Sequence, residues 1–184
     1  MRIMLTFLLI VLGGCVAMKN PATPAPSASL KHAVVFDIDG TLTPTTTAIL
    51  GVRKDAAAAV KYFADKGYQI IYLSARQIAF QRTIPKWMDA NTFPVGLLYV
   101  PQTEAEAKDP VTFKAKVLSD FVAQGWSLDY AFGDSTTDFE AYAQAGLARA
   151  QVFALQRREA SACQVGEWQA CLTGWTNFQE VVLK

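Results

Sequence analysis

Five short runs of strand-forming residues alternate with helical patterns along this chain of 184 residues. The runs are rich in Val, Ile, Tyr and Phe and are apolar nearly throughout, which is typical of strands buried on both faces of a parallel sheet. The predicted strands are residues 33–37, 68–74, 95–100, 128–133 and 151–155. This alternation predicts an α/β fold, a Rossmann-like three-layer α/β/α sandwich around a central parallel sheet.

The helical segments between these runs are residues 54–66, 78–90, 111–124 and 138–145. Three of them are followed by a glycine (Gly67, Gly125 or Gly146), which we expect to adopt the left-handed conformation that ends many helices. Near the end of the chain a further helix is expected to pack through Trp175, Phe178 and Val182.

The charges of the chain nearly balance, with 17 Lys and Arg against 16 Asp and Glu. Nucleic-acid binding depends on clustered positive charge, and this sequence has neither a basic run nor a basic excess. The composition therefore argues against a nucleic-acid partner. We expect a monomer.

The first residues differ in character from the rest of the chain. Arg2 precedes an apolar run from Ile3 to Leu12 that is too short to span a bilayer comfortably and is typical of a signal-peptide core. Leu12-Gly13-Gly14-Cys15 resembles the bacterial lipobox, which implies a signal peptide over residues 1–14 and a lipid on Cys15. The alternatives are an ordinary secretory signal or a cytosolic protein that starts at Met18.

A lipoprotein signal would place the protein in a bacterial cell envelope, facing the periplasm. Lipoproteins retained in the inner membrane usually have aspartate after the cysteine, and Val16 at that position favours the outer membrane. Residues 15–30 are expected to form the lipidated Cys and a flexible tether, because residues 19–29 are rich in Pro, Ala and Ser. Residues 31–184 would then be the folded domain, held at a bilayer surface.

If Cys15 carries lipid, two cysteines remain, Cys163 and Cys171. In an oxidising periplasm such a pair is expected to form a disulfide. The alternative is two buried free thiols.

Four short motifs with polar or charged residues lie where predicted strands end or a helix begins. Asp37 and Asp39 of "DIDGT" close the first strand, Ser74 closes the second, Lys114 begins a helix, and "FGDSTTD" closes a later strand with Asp134 and Asp138. In open parallel sheets, ligands bind beyond the carboxyl ends of the strands, so these side chains are expected to share one edge. Taken alone, "DIDGT" is also compatible with a turn that merely has an aspartate cap.

In this order the four motifs resemble those of the haloacid-dehalogenase superfamily. The segments "YLSARQIAFQRTIPKWMDANTFPVGLLYV", "DPVTFKAKVL" and "FGDSTTDFEAY" are also similar to the C-terminal domain shared by lipins and the large phosphatidylinositol-transfer proteins. The resemblance implies a phosphatase with a magnesium cofactor. Two features depart from lipins: "LTPTTTAILG" follows the first motif, and Asp134 stands where lipins tend to have asparagine.

Each residue of the first motif has a chemical role in this hypothesis. Asp37 would attack phosphorus and form an acyl phosphate. Asp39, two residues on, would protonate the leaving alkoxide and later take a proton from water. Gly40 would let the backbone approach the phosphate, and Thr41 would hydrogen-bond to it.

The other motifs are expected to bind the phosphoryl group. Ser74 and the backbone N–H groups around Ala75 would hold its oxygens, and Lys114 would neutralise them. Lys116 is the alternative lysine, and the family register favours Lys114. Arg76 is expected either to meet a substrate headgroup or to lie on the surface.

The charges at this edge require a cation. Asp37, Asp39, Asp134 and Asp138 together with a phosphomonoester carry more negative charge than one lysine balances, and Mg²⁺ prefers such oxygen ligands. Asp37 and Asp134 are expected to be direct ligands, joined by the backbone carbonyl of Asp39. Asp138 would bind directly, through water, or by orienting Lys114.

The spacing between motifs leaves no room for a cap domain, since residues 37–74 hold one loop and one helix. An open site suits a phosphate on a large or membrane-embedded molecule, so the sequence predicts a magnesium-dependent phosphatase at a membrane, with a phosphatidate-like lipid as substrate. The alternatives are a phosphatidate-binding module without activity and a broad periplasmic acid phosphatase acting on soluble monoesters.

Overall fold

The structure is a computed structural model that describes residues 17–176 and 178–183. Its centre is a six-stranded sheet formed by β1 (His32–Asp37), β2 (Gln69–Leu73), β3 (Leu97–Tyr99), β4 (Ser127–Gly133), β5 (Val152–Leu155) and β6 (Ala170–Leu172). The strand order is β3-β2-β1-β4-β5-β6 and every pairing is parallel. The predicted fold class is confirmed.

Seven α-helices accompany the sheet in the described part of the chain. They are α1 (Ala56–Asp65), α2 (Ile78–Gln81), α3 (Thr83–Ala90), α4 (Glu104–Lys108), α5 (Pro110–Ala123), α6 (Thr136–Gln144) and α7 (Gln179–Val182), with one 3-10 turn at Arg149–Gln151. None of the described helices is both long and apolar enough to cross a membrane.

One hydrophobic core lies on each face of the sheet. Alternate residues of β1 divide between them: Val34 and Phe36 belong to the core that includes Phe63 of α1, and Val35 belongs to the core that includes Phe121 of α5. Because both faces are covered, the strands are apolar throughout, as the sequence indicates.

The helix bounds follow local capping. The predicted glycines Gly67, Gly125 and Gly146 have φ of 83°, 95° and 87°, which confirms their role at helix ends. Helix α6 begins two residues before the predicted start because Ser135 caps it: the Ser135 side chain accepts from the Asp138 backbone N–H (3.3 Å).

Three elements differ from expectation. The predicted helix 78–90 is divided into α2 and α3 at Arg82, and both α4 and the three-residue β6 were missed. Helix α4 is signalled by Thr103, whose hydroxyl accepts from the Glu106 backbone N–H (3.2 Å). Strand β6 is too short to give a periodic pattern and owes its place to pairing with β5.

The expected flexible tether also differs, because residues 18–26 are bound to the domain. The Asn20 side chain donates to the Val100 carbonyl (2.9 Å) and accepts from the Val100 N–H (3.0 Å), and Trp126 Nε1 donates to the Pro24 carbonyl (2.7 Å). Composition alone did not reveal this because the contacts are made by single side chains across 80 or more residues. Cys15 and the signal segment 1–14 lie outside the described residues.

Candidate active site

The candidate site lies at the carboxyl edge of the sheet, between β1 and β4. Asp37 is the last residue of β1 and is only 3% exposed, and Asp134 directly follows β4. The chain reverses direction across the sheet at this point, since β2 and β3 lie on one side of β1 and β4 to β6 on the other. Such switch points are where open α/β sheets bind ligands.

A buried lysine joins two of the predicted aspartates. Lys114 of α5 donates from Nζ to Asp37 Oδ1 and to Asp138 Oδ1, both at 2.6 Å. Lys116, the alternative lysine, pairs with Asp120 on the surface and its side chain is 70% exposed. Of the two, Lys114 is therefore the lysine of the site.

Asp37, Asp134 and Asp138 form what we call the carboxylate cluster. One oxygen from each lies within 4.8 Å of the others, and all three residues are buried. Asp138 Oδ2 accepts from the backbone N–H groups of Asp134 and Ser135 (both 3.1 Å) and from the Ser135 hydroxyl (2.7 Å). These bonds fix Asp138 where it holds Lys114.

Burial and mutual repulsion act on this cluster. Burial, followed by the charge of Asp138, raises the pKa of Asp37 well above its usual range, and the same two causes raise the pKa of Asp134. Burial alone would lower the pKa of Lys114, but the carboxylates of Asp138 and Asp37 outweigh it and raise that pKa. When all three carboxylates are ionised, their negative charge exceeds what Lys114 alone balances, which is why they repel one another.

The cluster fits a hard divalent cation. Asp37 Oδ2 is buried and has no hydrogen-bond partner among the described residues, so a carboxylate oxygen is left unsatisfied beside two further carboxylates. Mg²⁺ is bound in proteins by such oxygen ligands. The donor set and the unpartnered oxygen both match that ion.

Asp39 lies in different surroundings from Asp37. Its Oδ2 accepts from the Ser74 hydroxyl (2.7 Å), and its Oδ1 accepts from Arg76 Nη2 (2.5 Å) and Nε (3.1 Å). We call Ser74 and Arg76 the Asp39 clamp. The Ser74 hydroxyl donates to Asp39, and the Arg76 side chain, 3% exposed, pairs with Asp39 at the wall of the cavity described below.

Gly40 and Thr41 do not lie where the first motif suggested. Gly40 has φ of 95°, and a Cβ there would overlap the Asp134 carboxylate, so glycine allows the two motifs to approach each other. Thr41 is fully buried, and its hydroxyl has no hydrogen-bond partner among the described residues. Neither residue lines the cavity described next.

A cavity of about 540 Å³ opens over both aspartates of the first motif. Its lining includes Asp37, Asp39, Ala75, Arg76, Ile49 and Phe80. The predicted Ala75 therefore borders the site, while Ser74 is buried behind it. The described residues around the cavity contain no separate cap domain.

Two arginines, which no sequence motif indicated, contact residues of the first and last motifs, and one of them, Arg157, lines the cavity. Arg157 Nε donates to Asp134 Oδ2, and Arg53 Nη2 donates to the Gly40 carbonyl (2.5 Å). Arg157 follows β5 at the carboxyl edge of the sheet, the position that should have drawn attention to it.

The predicted cysteine pair forms a disulfide close in the chain to Arg157. The structure joins Cys163 to Cys171 of β6 in a disulfide. Within the same loop, the Gln164 side chain accepts from the Thr136 backbone N–H (3.0 Å) at the start of α6. The disulfide thus ties the loop after β5 to the sheet beside the carboxylate cluster.

Residues 34–156 match the family model of the LNS2 domain of PITM 1-3. The human membrane-associated phosphatidylinositol transfer protein 3 is 30% identical over 131 residues, and the rat transfer protein 1 is 32% identical over 131 residues. Each match covers 68% of this chain but only 13% and 10% of those proteins, so the chain corresponds to about a tenth of their length.

Solved structures with the same architecture share little sequence with the chain. The D,D-heptose 1,7-bisphosphate phosphatase of B. bronchiseptica, complexed with magnesium and phosphate, gives a TM-score of 0.58 at 16% identity over 83% of this chain and 98% of its own. The Pnkp1/Rnl/Hen1 RNA repair complex gives 0.59 at 17% identity over 78% of this chain and 49% of its own. At these identities the likeness concerns the fold alone. By its family match, the chain belongs to the LNS2 domain family of the PITM 1-3 proteins.

Proposed function

We propose that this protein is a magnesium-dependent phosphomonoester hydrolase in which Asp37 is the nucleophile. The observation that carries the proposal is the buried, unpartnered Oδ2 of Asp37 within the carboxylate cluster. A strand-end carboxylate with an unsatisfied oxygen and a lysine on the other oxygen is suited to a cation and a phosphoryl group.

Asp37 and Asp134 would hold the cation, with the backbone carbonyl of Asp39. When bound, Mg²⁺ supplies positive charge that offsets the carboxylates and the phosphoryl oxygens. Asp138 serves chiefly to orient Lys114, because its two oxygens are already engaged by Lys114 and by the groups at the start of α6.

The chain's own residues would carry out two displacements at phosphorus. A carboxylate oxygen of Asp37 forms a bond to phosphorus as the bond to the leaving oxygen breaks, and Asp39 gives its proton to that oxygen. Water then attacks the phosphorus of the acyl phosphate while Asp39 takes up the water proton. Inorganic phosphate leaves, Asp37 is free again and Asp39 is protonated, as at the start.

Lys114 and the Asp39 clamp would position these groups. Lys114 holds one Asp37 oxygen in place, and Ser74 with Arg76 fixes Asp39 at the cavity wall. Ala75 lines the cavity, and the backbone N–H groups around it would bind phosphoryl oxygens.

The substrate that we propose is a phosphomonoester at a membrane surface, with a phosphatidate-like lipid favoured. Two relatives are named as membrane-associated phosphatidylinositol transfer proteins, and the cavity mouth carries the apolar side chains of Ile49 and Phe80. The lipobox-like Cys15 would anchor the protein in a bacterial envelope, facing the periplasm, with the outer membrane favoured by Val16.

A second candidate is a module that binds a lipid phosphate without hydrolysing it. It is favoured by the Asp39 clamp, which engages both oxygens of the proposed acid, and by relatives that are named for lipid transfer. The third candidate function, a broad phosphatase for soluble monoesters, uses the same site and differs from the first only in its substrate.

A phosphate-release assay with vesicle-borne phosphatidate and soluble monoesters, with and without Mg²⁺, separates the three. The proposal expects Mg²⁺-dependent release that Asp37→Asn reduces at least about 10⁴-fold, and faster turnover of the vesicle-borne lipid. Asp120→Asn, on the surface, is the matched control. Binding to phosphatidate vesicles without phosphate release would favour the binding module. Faster turnover of soluble monoesters would favour the third candidate function.

A further inference from the structure

The bound N-terminal segment carries the chain from one edge of the sheet to the other. Pro24 lies beside Trp126, which precedes the amino end of β4, whereas the Met18 backbone N–H donates to the Gln81 side chain in α2 (3.1 Å). The Met18 carbonyl is also fixed, since it accepts from Gln102 Nε2 (2.6 Å). The described chain therefore begins at the carboxyl edge, which is the edge of the candidate site.

This path limits how far a membrane anchor can be from the site. Cys15 precedes Met18 by three residues, and three residues reach at most about 10 Å. If Cys15 carries the lipid that the proposed function includes, the bilayer surface must come close to α2. A flexible tether of 15 residues would not impose this limit.

Exposed apolar side chains lie next to Gln81 and next to the cavity-lining Ile49 in the chain. Phe80 is 48% exposed and Leu50 is 67% exposed, and Ile49 lies with Phe80 at the cavity mouth. We call Ile49, Leu50 and Phe80 the apolar rim. One hydrogen bond joins the neighbouring parts of the two segments that carry these residues: Trp87 Nε1 of α3 donates to the Gly51 carbonyl (2.9 Å).

Two exposed cations adjoin, in the chain, residues that lie near the rim. Arg82 follows α2 directly, and Lys19 follows Met18. Apolar side chains next to Lys and Arg are the combination that binds at the surface of anionic bilayers.

We infer that the apolar rim is the surface by which this protein lies on an anionic lipid bilayer, with the cavity facing the lipid headgroups. The inference rests on the lipid anchor of the proposed function and adds to it the orientation of the domain. The short chain between Cys15 and Met18 favours the bilayer as the occupant of the rim. The other occupant to be tested is the chain's own apolar run, residues 3–12.

Fluorescence quenching in the full-length, lipid-anchored protein tests the orientation. A fluorophore is attached at Leu50→Cys or, as the control, at Val122→Cys, and the vesicles contain brominated anionic lipids. Val122 is 47% exposed and lies 12 residues beyond Pro110 along α5, about 18 Å from the cavity end of that helix. We expect strong quenching at position 50 and little at position 122.

Four outcomes would overturn the inference. Equal quenching at both positions would mean a freely tumbling domain, and no quenching at either would mean that the rim faces away from lipid. Mass spectrometry that finds Cys15 without lipid, or residues 1–14 retained and cross-linked to the rim, would remove the anchor argument.

The same orientation predicts an effect on turnover that differs between substrates. Leu50→Asp is expected to lower turnover of vesicle-borne phosphatidate about tenfold or more, from the loss of one buried apolar side chain at the bilayer, and to leave p-nitrophenyl phosphate turnover unchanged. Val122→Asp should change neither. If the protein hydrolyses no monoester, the proposed function fails while the quenching pattern still decides the orientation.

Discussion

Asp37 and Asp39 are separated by one residue, yet they enter opposite kinds of surroundings. Asp37 lies in the carboxylate cluster with an oxygen that has no partner among the described residues, whereas both oxygens of Asp39 are bound by the Asp39 clamp. Lys114 contacts Oδ1 of Asp37, so its Oδ2 is the oxygen left for an added cation. Ser74 and Arg76, in contrast, occupy both oxygens of Asp39. In the proposed mechanism the motif divides the chemistry: Asp37 acts on metal and phosphorus, and Asp39 moves a proton.

After the loss of Asp37 itself, the largest effect should come from the lysine of the carboxylate cluster. Lys114→Met leaves two buried carboxylates without their cation, so we expect a loss of about 3–5 kcal/mol in the free energy of unfolding and a fall in kcat of about 10³-fold. Urea denaturation and phosphate-release kinetics measure the two.

The matched control is Lys116→Met, which removes an exposed ion pair and should have little effect. Because the deficit in Lys114→Met is one of positive charge, added Mg²⁺ should restore part of the stability. Equal effects of the two substitutions would contradict the assignment of Lys114.

Substitutions at Asp39 and in the Asp39 clamp should have effects on turnover that depend on the leaving group of the substrate. Asp39→Asn is expected to lower turnover of alkyl phosphates about 10²-fold or more, and to lower p-nitrophenyl phosphate turnover much less, because that leaving group departs without a proton. Arg76→Lys loses the bidentate contact with Asp39. It should lower turnover of alkyl phosphates about tenfold and turnover of p-nitrophenyl phosphate much less.

Arg149→Lys, far from Asp39 on the described surface, is the control for Arg76. A uniform loss on all substrates would show that Asp39 and Arg76 act on binding or folding rather than on proton transfer.

The disulfide supports the loop that carries Arg157 to the carboxylate cluster. Its two cysteines are 8 residues apart, and closing a loop of that size is worth about 2.5 kcal/mol by the chain-entropy relation. Reduction should therefore lower the midpoint of thermal unfolding. Two free thiols in protein isolated from its native compartment would contradict this expectation.

The smallest effect is expected at Arg157, whose side chain is 35% exposed. Arg157→Gln removes a positive charge from Asp134, so Mg²⁺ should bind about two- to fivefold tighter and inorganic phosphate more weakly. Arg158→Gln, the exposed neighbour, is the control. Calorimetric titrations measure both affinities, and a change of the same sign for cation and phosphate would contradict this role.

The sequence predicted the carboxylate cluster because its geometry follows from topology. Once the strands are parallel, Asp37 and Asp134 must lie at the same edge, and the helix containing Asp138 must begin there. The alternation of apolar runs with helical patterns was sufficient to predict this arrangement of the three aspartates. The choice of Lys114 over Lys116 came from the family register, and the structure places Lys114 at the site.

The features that were missed depend on single long-range contacts. Arg76 turns to Asp39 across 37 residues, Asn20 binds Val100 across 80, and Arg157 reaches Asp134 across 23. Sequence periodicity does not show which way such a side chain turns. A buried arginine therefore could not be distinguished from a surface arginine, nor a bound N-terminal segment from a flexible one.

Chemical trapping of the phosphorylated enzyme tests the central claim most directly. The protein is mixed with a phosphomonoester and Mg²⁺, quenched in acid, reduced with borohydride and mapped by mass spectrometry. We expect homoserine at position 37, formed only when both substrate and Mg²⁺ are present, since borohydride reduces an acyl phosphate but not a free carboxylate. Phosphate release without reduction of Asp37, or reduction at a different aspartate, would contradict the account.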